Sequence, residues 1–552
     1  MGQLVPSPPE LLSLCLKLVS FPSVTTLPGE ENNVGHYIYE WVASLPYFQS
    51  HPEHIVMIPV ENDPLQRFCV GAFLEAFPSC SQTIILTGHF DVVGTEGFGS
   101  LASWAFEPQE YMARIQKEML PSDVRRDLES GEYLFGRGIA DMKYGLALEM
   151  ACMKMYAQAR EELGANLLFL AVCDEENMSS GMRSVVPWLR RFREEKGLQY
   201  IACLNTEPSV GEPKEKGALY LGTIGKLMPV FLCVGREAHV GEYFKGVSAT
   251  LMASCLTVLI EGDEESADTW RGFSFPPMAG LKLADLQDGY SVTLPEMAVT
   301  FFNSLLVTKS PRQLLAYMKQ RAQEALQQAL ALRESSGKKL APSLFDGEPE
   351  RGAVITVEEL LCEVARKRGL SPKALMKEIA LSIHDGKNIH QRGIEVMQTL
   401  ARQWGRKGPF IVIGFLPPYY PSRCNNEEIA GEKGMRLLCE ELVQKGKNIG
   451  FSLEVREIFE GIMDLSYLGF QGNLNDLEGV AQNTPLWNID YYFPSEDILC
   501  LHIPILNMGP IGKDAHQSTE RLYLPYALHG LPLLFVEALE RIPDLCKETN
   551  VE

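Results

Sequence analysis

The sequence predicts an α/β protein with a smaller α+β domain inserted into it. Over residues 8–205, short apolar runs rich in β-branched and aliphatic residues alternate with helical stretches, the order that builds a largely parallel sheet covered by helices. Several of these runs end in turns carrying His, Asp or Glu, and open α/β sheets gather ligand groups beyond the carboxyl ends of their strands. Near Gly222 the order changes to strand, helix, extended stretches and a long helix, which is that of a compact α+β unit.

Taken in order, leucines at helical spacing (Leu11, Leu12, Leu14, Leu16, Leu18) predict a helix over 8–21, its prolines at the start where they are tolerated. A second helix follows over 30–45. Strands are expected at 54–60, 68–74, 83–87, 166–172 and 200–205, and helices at 145–160 and 184–195. The inserted domain is expected over 223–360, with strands at 226–234, 291–307 and 352–357 and helices at 247–260 and 311–335. Helices at 358–368, 371–382, 388–404 and 427–445 and a strand at 409–416 are expected to return to the first sheet, so that 1–222 and 361–552 form one domain. Residues 471–494 read as a polar loop interleaved with aromatics.

Composition narrows the function. A chain of 552 residues with 46% hydrophobic and 22% charged residues is globular and too long for one ordinary core. Its net charge of -21 argues against nucleic acid or an anionic membrane as a general partner. The first ten residues lack a basic segment and carry Pro6, Pro8 and Pro9, unlike a secretory leader, so a cytoplasmic protein is expected. The 13 cysteines form no C-x-x-C pair and sit mostly in apolar runs, as buried hydrophobes of a reducing compartment do. Any metal must then be held by His, Asp and Glu.

The candidates stand at strand ends. His89 and Asp91 follow the apolar run 81–86, and residues two apart on an extended chain point the same way. On its own this pair also suits a core histidine with a hydrogen-bonding neighbour. Asp141 lies in the glycine-rich turn Gly136-Arg137-Gly138, which as a lone motif also suits an anion nest. Asp174-Glu175-Glu176 follows the run 167–172, where clustered acids repel unless a cation offsets them; the alternative is a solvated acidic loop. Glu207 ends the run 201–205, and His516 lies in a glycine-rich turn near the end of the chain. Together these junctions suit a two-metal site of the kind zinc hydrolases use.

The motifs TGHFDVV, GRGIADMKYGLA, DEENMSSG, NTEP, GREAHVG and GPIGKDAHQSTERL, in that order, resemble the zinc metallopeptidase and deacylase family of acetylornithine deacetylase, succinyl-diaminopimelate desuccinylase, aminoacylase and carboxypeptidase G. The chain length, the lengthened middle and the segment GIMDLSYLGF are similar to the branch of the arginine-utilisation protein RocB. The resemblance implies a mixed-sheet zinc-peptidase catalytic domain with helices on both faces and an inserted α+β lid. It implies His89 and Glu207 on one ion, Glu176 and His516 on the other, and Asp141 bridging them, often followed by a cis peptide. Asp91 would orient His89, Glu175 would be the general base, and His239 of the lid would stabilise the oxyanion, in some members from a partner subunit. The implied cofactors are two Zn²⁺ per chain, a donor set that Co²⁺ or Mn²⁺ also suits.

Asp464 matches the family's turn near the substrate. One departure bears on substrate: the lid strand Phe301-Phe302-Asn303-Ser304-Leu305-Leu306 lacks the family's carboxylate-binding arginine, which leaves Asn303 with Lys226, Arg236 or a neutral pocket to take its place. Lys143 is a further basic candidate. The expected activity is hydrolysis of a peptide-like or N-acyl amide bond in a small amino-acid-derived substrate, possible homodimerisation running through the lid. The rival readings are a catalytically silent amino-acid-binding protein and a phosphoesterase.

Overall fold

The computed structural model describes residues 4–209, 216–345, 347–383 and 386–548; the first three residues of the N-terminal segment and the extreme carboxyl end lie outside it. The chain divides into two compact units, one of Met1–Thr223, Arg423–Phe470 and Glu496–Glu552, the other of Ile224–Ser422 and Gln471–Ser495.

The first unit is built on a mixed sheet of eight strands in the spatial order Ile55–Pro59, Phe68–Leu74, Asn166–Val172, Gln82–His89, Gln199–Asn205, Ile505–Asn507, Gly217–Tyr220, Leu453–Arg456. The strands Phe68–Leu74 and Asn166–Val172 are buried along their whole length, which is why they read as continuous apolar runs without alternation. The four neighbours Asn166–Val172, Gln82–His89, Gln199–Asn205 and Ile505–Asn507 run parallel, so their carboxyl ends open at one edge of the sheet. A ribbon of Tyr133–Phe135, Arg521–Tyr523 and Gly512–Lys513 stands beside it. Residues 96–135 carry a small core of their own around Phe98, Tyr111, Val124, Leu128 and Phe135, a stretch in which the sequence reading placed no element.

The second unit holds a five-stranded sheet in the order Ala279–Asp285, Met297–Leu306, Gly225–Val234, Phe410–Tyr420, Ala353–Thr356. Met228, Val230, Leu232 and Val234 alternate along one strand and share a core with the helices Val357–Arg368, Pro372–Ser382 and Ile389–Trp404. The helices Ala249–Ile260 and Pro311–Leu340 touch the same strands but give no residue to that core, so they cover the opposite face. Helix starts are written locally: Ser310, Thr356, Asn388 and Asn473 each close a capping box with the side chain three residues on.

This corrects the expected boundary at residue 360. The strand Phe410–Tyr420 pairs antiparallel with Gly225–Val234 and parallel with Ala353–Thr356, so the three helices before it belong to the second unit. A fully buried strand shows no polar face from which its partner can be read. The expected loop 471–494 likewise contains the helix Leu474–Asn483 and joins the second unit, where Asn483 Oδ1 accepts the Glu358 amide at 3.2 Å.

Candidate metal centre

The parallel strand ends bring together the acids and histidines that the sequence scatters. His89 Nε2 lies 3.1 Å from Asp141 Oδ1 and 3.2 Å from Glu207 Oε1. His516 Nε2 lies 3.2 Å from Asp141 Oδ2 and 3.0 Å from Glu176 Oε2. Asp141 therefore offers one oxygen to each histidine. Its peptide bond to Met142 is cis. Glu175 Oε2 stands farther off, 3.9 Å from His89 Nε2, beside Glu207. His89 is 1% exposed at its side chain, whereas His516 is 52% exposed.

The backbone explains the convergence. His89 closes its strand and Glu207 follows the next one, two residues past Asn205. The Glu207 segment is pressed against the turn after Ile505–Asn507: a Cβ on Gly509 would sit 2.1 Å from the Glu207 carbonyl oxygen, so only glycine permits that approach. Asn507 Nδ2 donates to the same carbonyl at 3.1 Å. His516 and its neighbour Asp514 both occupy left-handed backbone (φ 67° and 55°), the sharp local course that aims His516 back at Asp141.

The run Asp174-Glu175-Glu176 divides by role. Asp174, itself at φ 66°, turns away into an ion pair with Arg67 and accepts the Ser180 amide at 3.0 Å. Glu175 and Glu176 turn towards the histidines. Asp91 holds them there, its two carboxylate oxygens each accepting one of their amides at 3.1 Å. The contact expected between Asp91 and His89 takes a different form: His89 Nδ1 donates to the Asp91 backbone carbonyl at 3.0 Å, with the carboxylate 3.6 Å away. Either contact keeps the proton on Nδ1 and leaves the Nε2 lone pair facing the acids.

Electrostatics mark the cluster as short of positive charge. Burial, with Glu207, Asp464 and Glu176 nearby, pushes Glu175 well above the usual carboxylate range, and burial with Asp141 pushes Glu207 up to about 8. Hydrogen bonds to Asp141 and Glu176 raise His516 to about 11. Burial opposes ionisation of Asp141, but its bonds to His516 and His89 outweigh it and hold its pKa below the ordinary value. Buried acids and imidazoles whose proton affinities disturb one another this strongly form a donor set whose charge a bound cation would balance. The spacing agrees: donors about 2.0–2.2 Å from a tetrahedral ion lie roughly 3.3–3.6 Å from one another, close to the 3.0–3.2 Å found.

The basic residues near these turns are engaged elsewhere. Arg137 pairs with Glu520, Lys513 and Arg521 with Asp127, and Lys143 Nζ donates to the Phe21 carbonyl. Asp464 is buried in the same unit, its carboxyl raised to about 6 by burial, and its charge acts on Glu175. The sequence reading gave no role to Arg67, an isolated charge without periodic or spacing signal, nor to Glu520, which it met only as part of the motif GPIGKDAHQSTERL.

Three predicted residues belong to the second unit. His239 is exposed and caps the turn Val240–Lys245, its Nδ1 accepting the Gly241 amide at 3.1 Å. Asn303 lies on Met297–Leu306 with its Oδ1 buried and without a partner. Arg236 bonds Glu350 through both terminal nitrogens, at 2.6 and 3.0 Å, and the Lys245 carbonyl through Nε.

Comparison with known proteins places the chain in a family. Residues 85–398 match the model of peptidase family M20/M25/M40, more than half of the chain and including His89, Asp141, Glu176 and Glu207. This chain belongs to that family. The M20 relatives include Bacillus subtilis YqjN, 33% identical over 95% of this chain and 94% of that protein, and B. subtilis RocB, 29% identical over 95% and 93%. The fold is shared with the M20 metallo-carboxypeptidase Sso-CP2 of Sulfolobus solfataricus, at TM-score 0.53 and 12% identity over 97% of this chain and 99% of that one. As an M20 protein the chain is a metallopeptidase or amidohydrolase, of a family typically dependent on two metal ions and acting on small peptides or acyl amino acids. No helix among its described residues is long and apolar enough to cross a membrane.

Proposed function

We propose that this enzyme hydrolyses a peptide-like or N-acyl amide bond of a small amino-acid-derived substrate, using two Zn²⁺, and that the substrate belongs to arginine or ornithine breakdown. The observation that carries the reading is the Asp141 carboxylate shared between His89 and His516, with Glu207 and Glu176 completing the two halves. On this reading His89 and Glu207 hold one ion, Glu176 and His516 the other, and Asp141 both. The ions would lower the pKa of a bound water and polarise the scissile carbonyl. The arginine or ornithine assignment rests on the likeness to RocB and on nothing in the site itself.

Glu175 is the proton carrier. It stands beside the ligand set without pairing with His516, and its buried carboxyl has a raised proton affinity. Such a group takes a proton from the attacking water at Oε2 and returns it to the departing amine. His239 supplies the oxyanion contact: with Nδ1 accepting from Gly241, the neutral ring carries its proton on Nε2, ready to donate. His239→Ala should therefore lower kcat by about 10²–10³-fold with little change in KM; an effect confined to KM would remove the oxyanion role. Asn303, with its unpartnered carbonyl oxygen, suits an amide N–H of the substrate, and Asp464 a charged or polar end.

The test is mass-spectrometric detection of cleavage across N-acyl amino acids, acylated ornithines and arginines, and dipeptides. Each is run with Zn²⁺, Co²⁺ or Mn²⁺, with Glu175→Gln as the blank. Cleavage by the wild type alone supports the reading, and silence across the panel with metal bound counts against it.

A homodimer through the second unit completes the reading. The strand Ala279–Asp285 is an exposed sheet edge carrying Leu281 and Leu283, a surface that a second copy can pair with. Sedimentation should give a dimer that Leu283→Lys dissociates; a wild-type monomer at micromolar concentration would exclude it.

A further inference from the structure

We propose that the buried pair Arg137–Glu520 is a positioning device for the His516 half of the centre, an inference that rests on the two-ion reading above. Both residues are 1% exposed. Arg137 Nη1 donates to Glu520 Oε2 at 2.6 Å, and Nη2 donates to the backbone carbonyl of His516 at 3.0 Å. Glu520 Oε1 in turn accepts the amides of Ala140 at 3.3 Å and Asp141 at 3.4 Å. The Glu520 carbonyl accepts the Gly136 amide at 3.2 Å. One ion pair thus ties the backbone of the bridging carboxylate to the backbone of the distant histidine.

The two halves need this to different degrees. His89 grows from a strand paired on both sides, so the ladder itself sets its position. His516 rises from a left-handed turn with its side chain half exposed, and no ladder reaches it: the short strands on either side end at Lys513 and resume at Arg521. Its backbone is held by Arg137, and by Tyr111 Oη donating to the Ser518 carbonyl at 2.6 Å. A buried ion pair is an inefficient source of stability compared with an apolar pair of the same volume. This one sends its remaining donor and acceptors to the two chain segments that bear ligands, which is the arrangement of an orienting layer behind a metal site.

The experiment is calorimetric titration of metal-free protein with Zn²⁺, read as two binding events. Arg137→Lys keeps the charge but loses the planar fork that reaches Glu520 and the His516 carbonyl together. It should leave one event unchanged and weaken the other about 10- to 100-fold. Glu520→Ala would strand a buried guanidinium and risks unfolding, so the second variant is the double replacement Arg137→Met with Glu520→Leu, which removes both charges at similar volume. The same selective weakening is expected there, with circular dichroism unchanged. Two wild-type-like events in these folded variants overturn the proposal, and so does equal weakening of both events, which would indicate general loosening. Uptake of fewer than two ions by the wild type overturns the two-ion reading and this proposal with it. Two ions bound, selective weakening in the variants and no cleavage across the amide panel would uphold the positioning role while refuting the proposed reaction.

Discussion

Glu175→Gln is expected to retain the wild-type metal content and to lose turnover by about 10²–10⁴-fold, the contribution of a positioned general acid–base. Glutamine keeps the size of the side chain and the amide that Asp91 holds at 3.1 Å, so the loop carrying Glu176 has no reason to move. What disappears is the carboxyl that accepts and returns a proton. Metal content by plasma mass spectrometry and kcat on whichever substrate the panel identifies decide the matter together. Near-normal kcat would remove Glu175 as the base. Loss of metal with loss of rate would make it a ligand instead, a result its place beside His89 and Glu207 keeps meaningful.

Arg67→Met is expected to cost about 3–5 kcal/mol of stability, because it breaks a buried charge cluster from one side only. The Arg67 side chain is 8% exposed and is surrounded by Glu31, Asp63 and Asp174, whose side chains are 1%, 4% and 0% exposed. Its Nε and Nη2 donate to the two oxygens of Asp63, each at 2.9 Å, while Nη1 serves Glu31 and Asp174. Without the guanidinium, the three acids repel in a site that water scarcely reaches. A surface pair offers the contrast: Arg541 and Glu441, about a third and nearly half exposed, should yield only about 0–1 kcal/mol on removal of Arg541. Urea midpoints followed by tryptophan fluorescence would measure both, and an unchanged midpoint for Arg67→Met would refute the buried-cluster account. Because Asp174 precedes Glu175 and Glu176, the same variant should also weaken metal binding.

Much of this molecule is legible in local pattern. The apolar runs ending at His89, Val172 and Asn205 marked strands of the first sheet, and each was followed by groups that meet at the centre. That inference works because a buried parallel strand and the turn beyond it are both written in a few contiguous residues. Local pattern also carried the helix from Pro8 and the long helix from Pro311, both of which open on a proline.

It did not carry the domain boundary or the support of the site. The strand Phe410–Tyr420 is as apolar as any in the first unit, and nothing in its residues says which sheet it joins; the answer lies in its pairing with Gly225–Val234. Arg67, Arg137 and Glu520 are single charges far apart in the chain. Each becomes informative only once burial removes water and obliges it to find a partner.

By itself, then, the sequence determined which residue types stand at the strand ends and hence the chemistry available there, since hydrophobic periodicity and turn composition are local properties. Tertiary structure alone decided that Asp174 turns to Arg67, that Arg236 bonds Glu350, and to which unit the residues after 360 belong. Those outcomes depend on contacts between distant segments, whose energies arise only when folding brings buried charges and unpaired strand edges together.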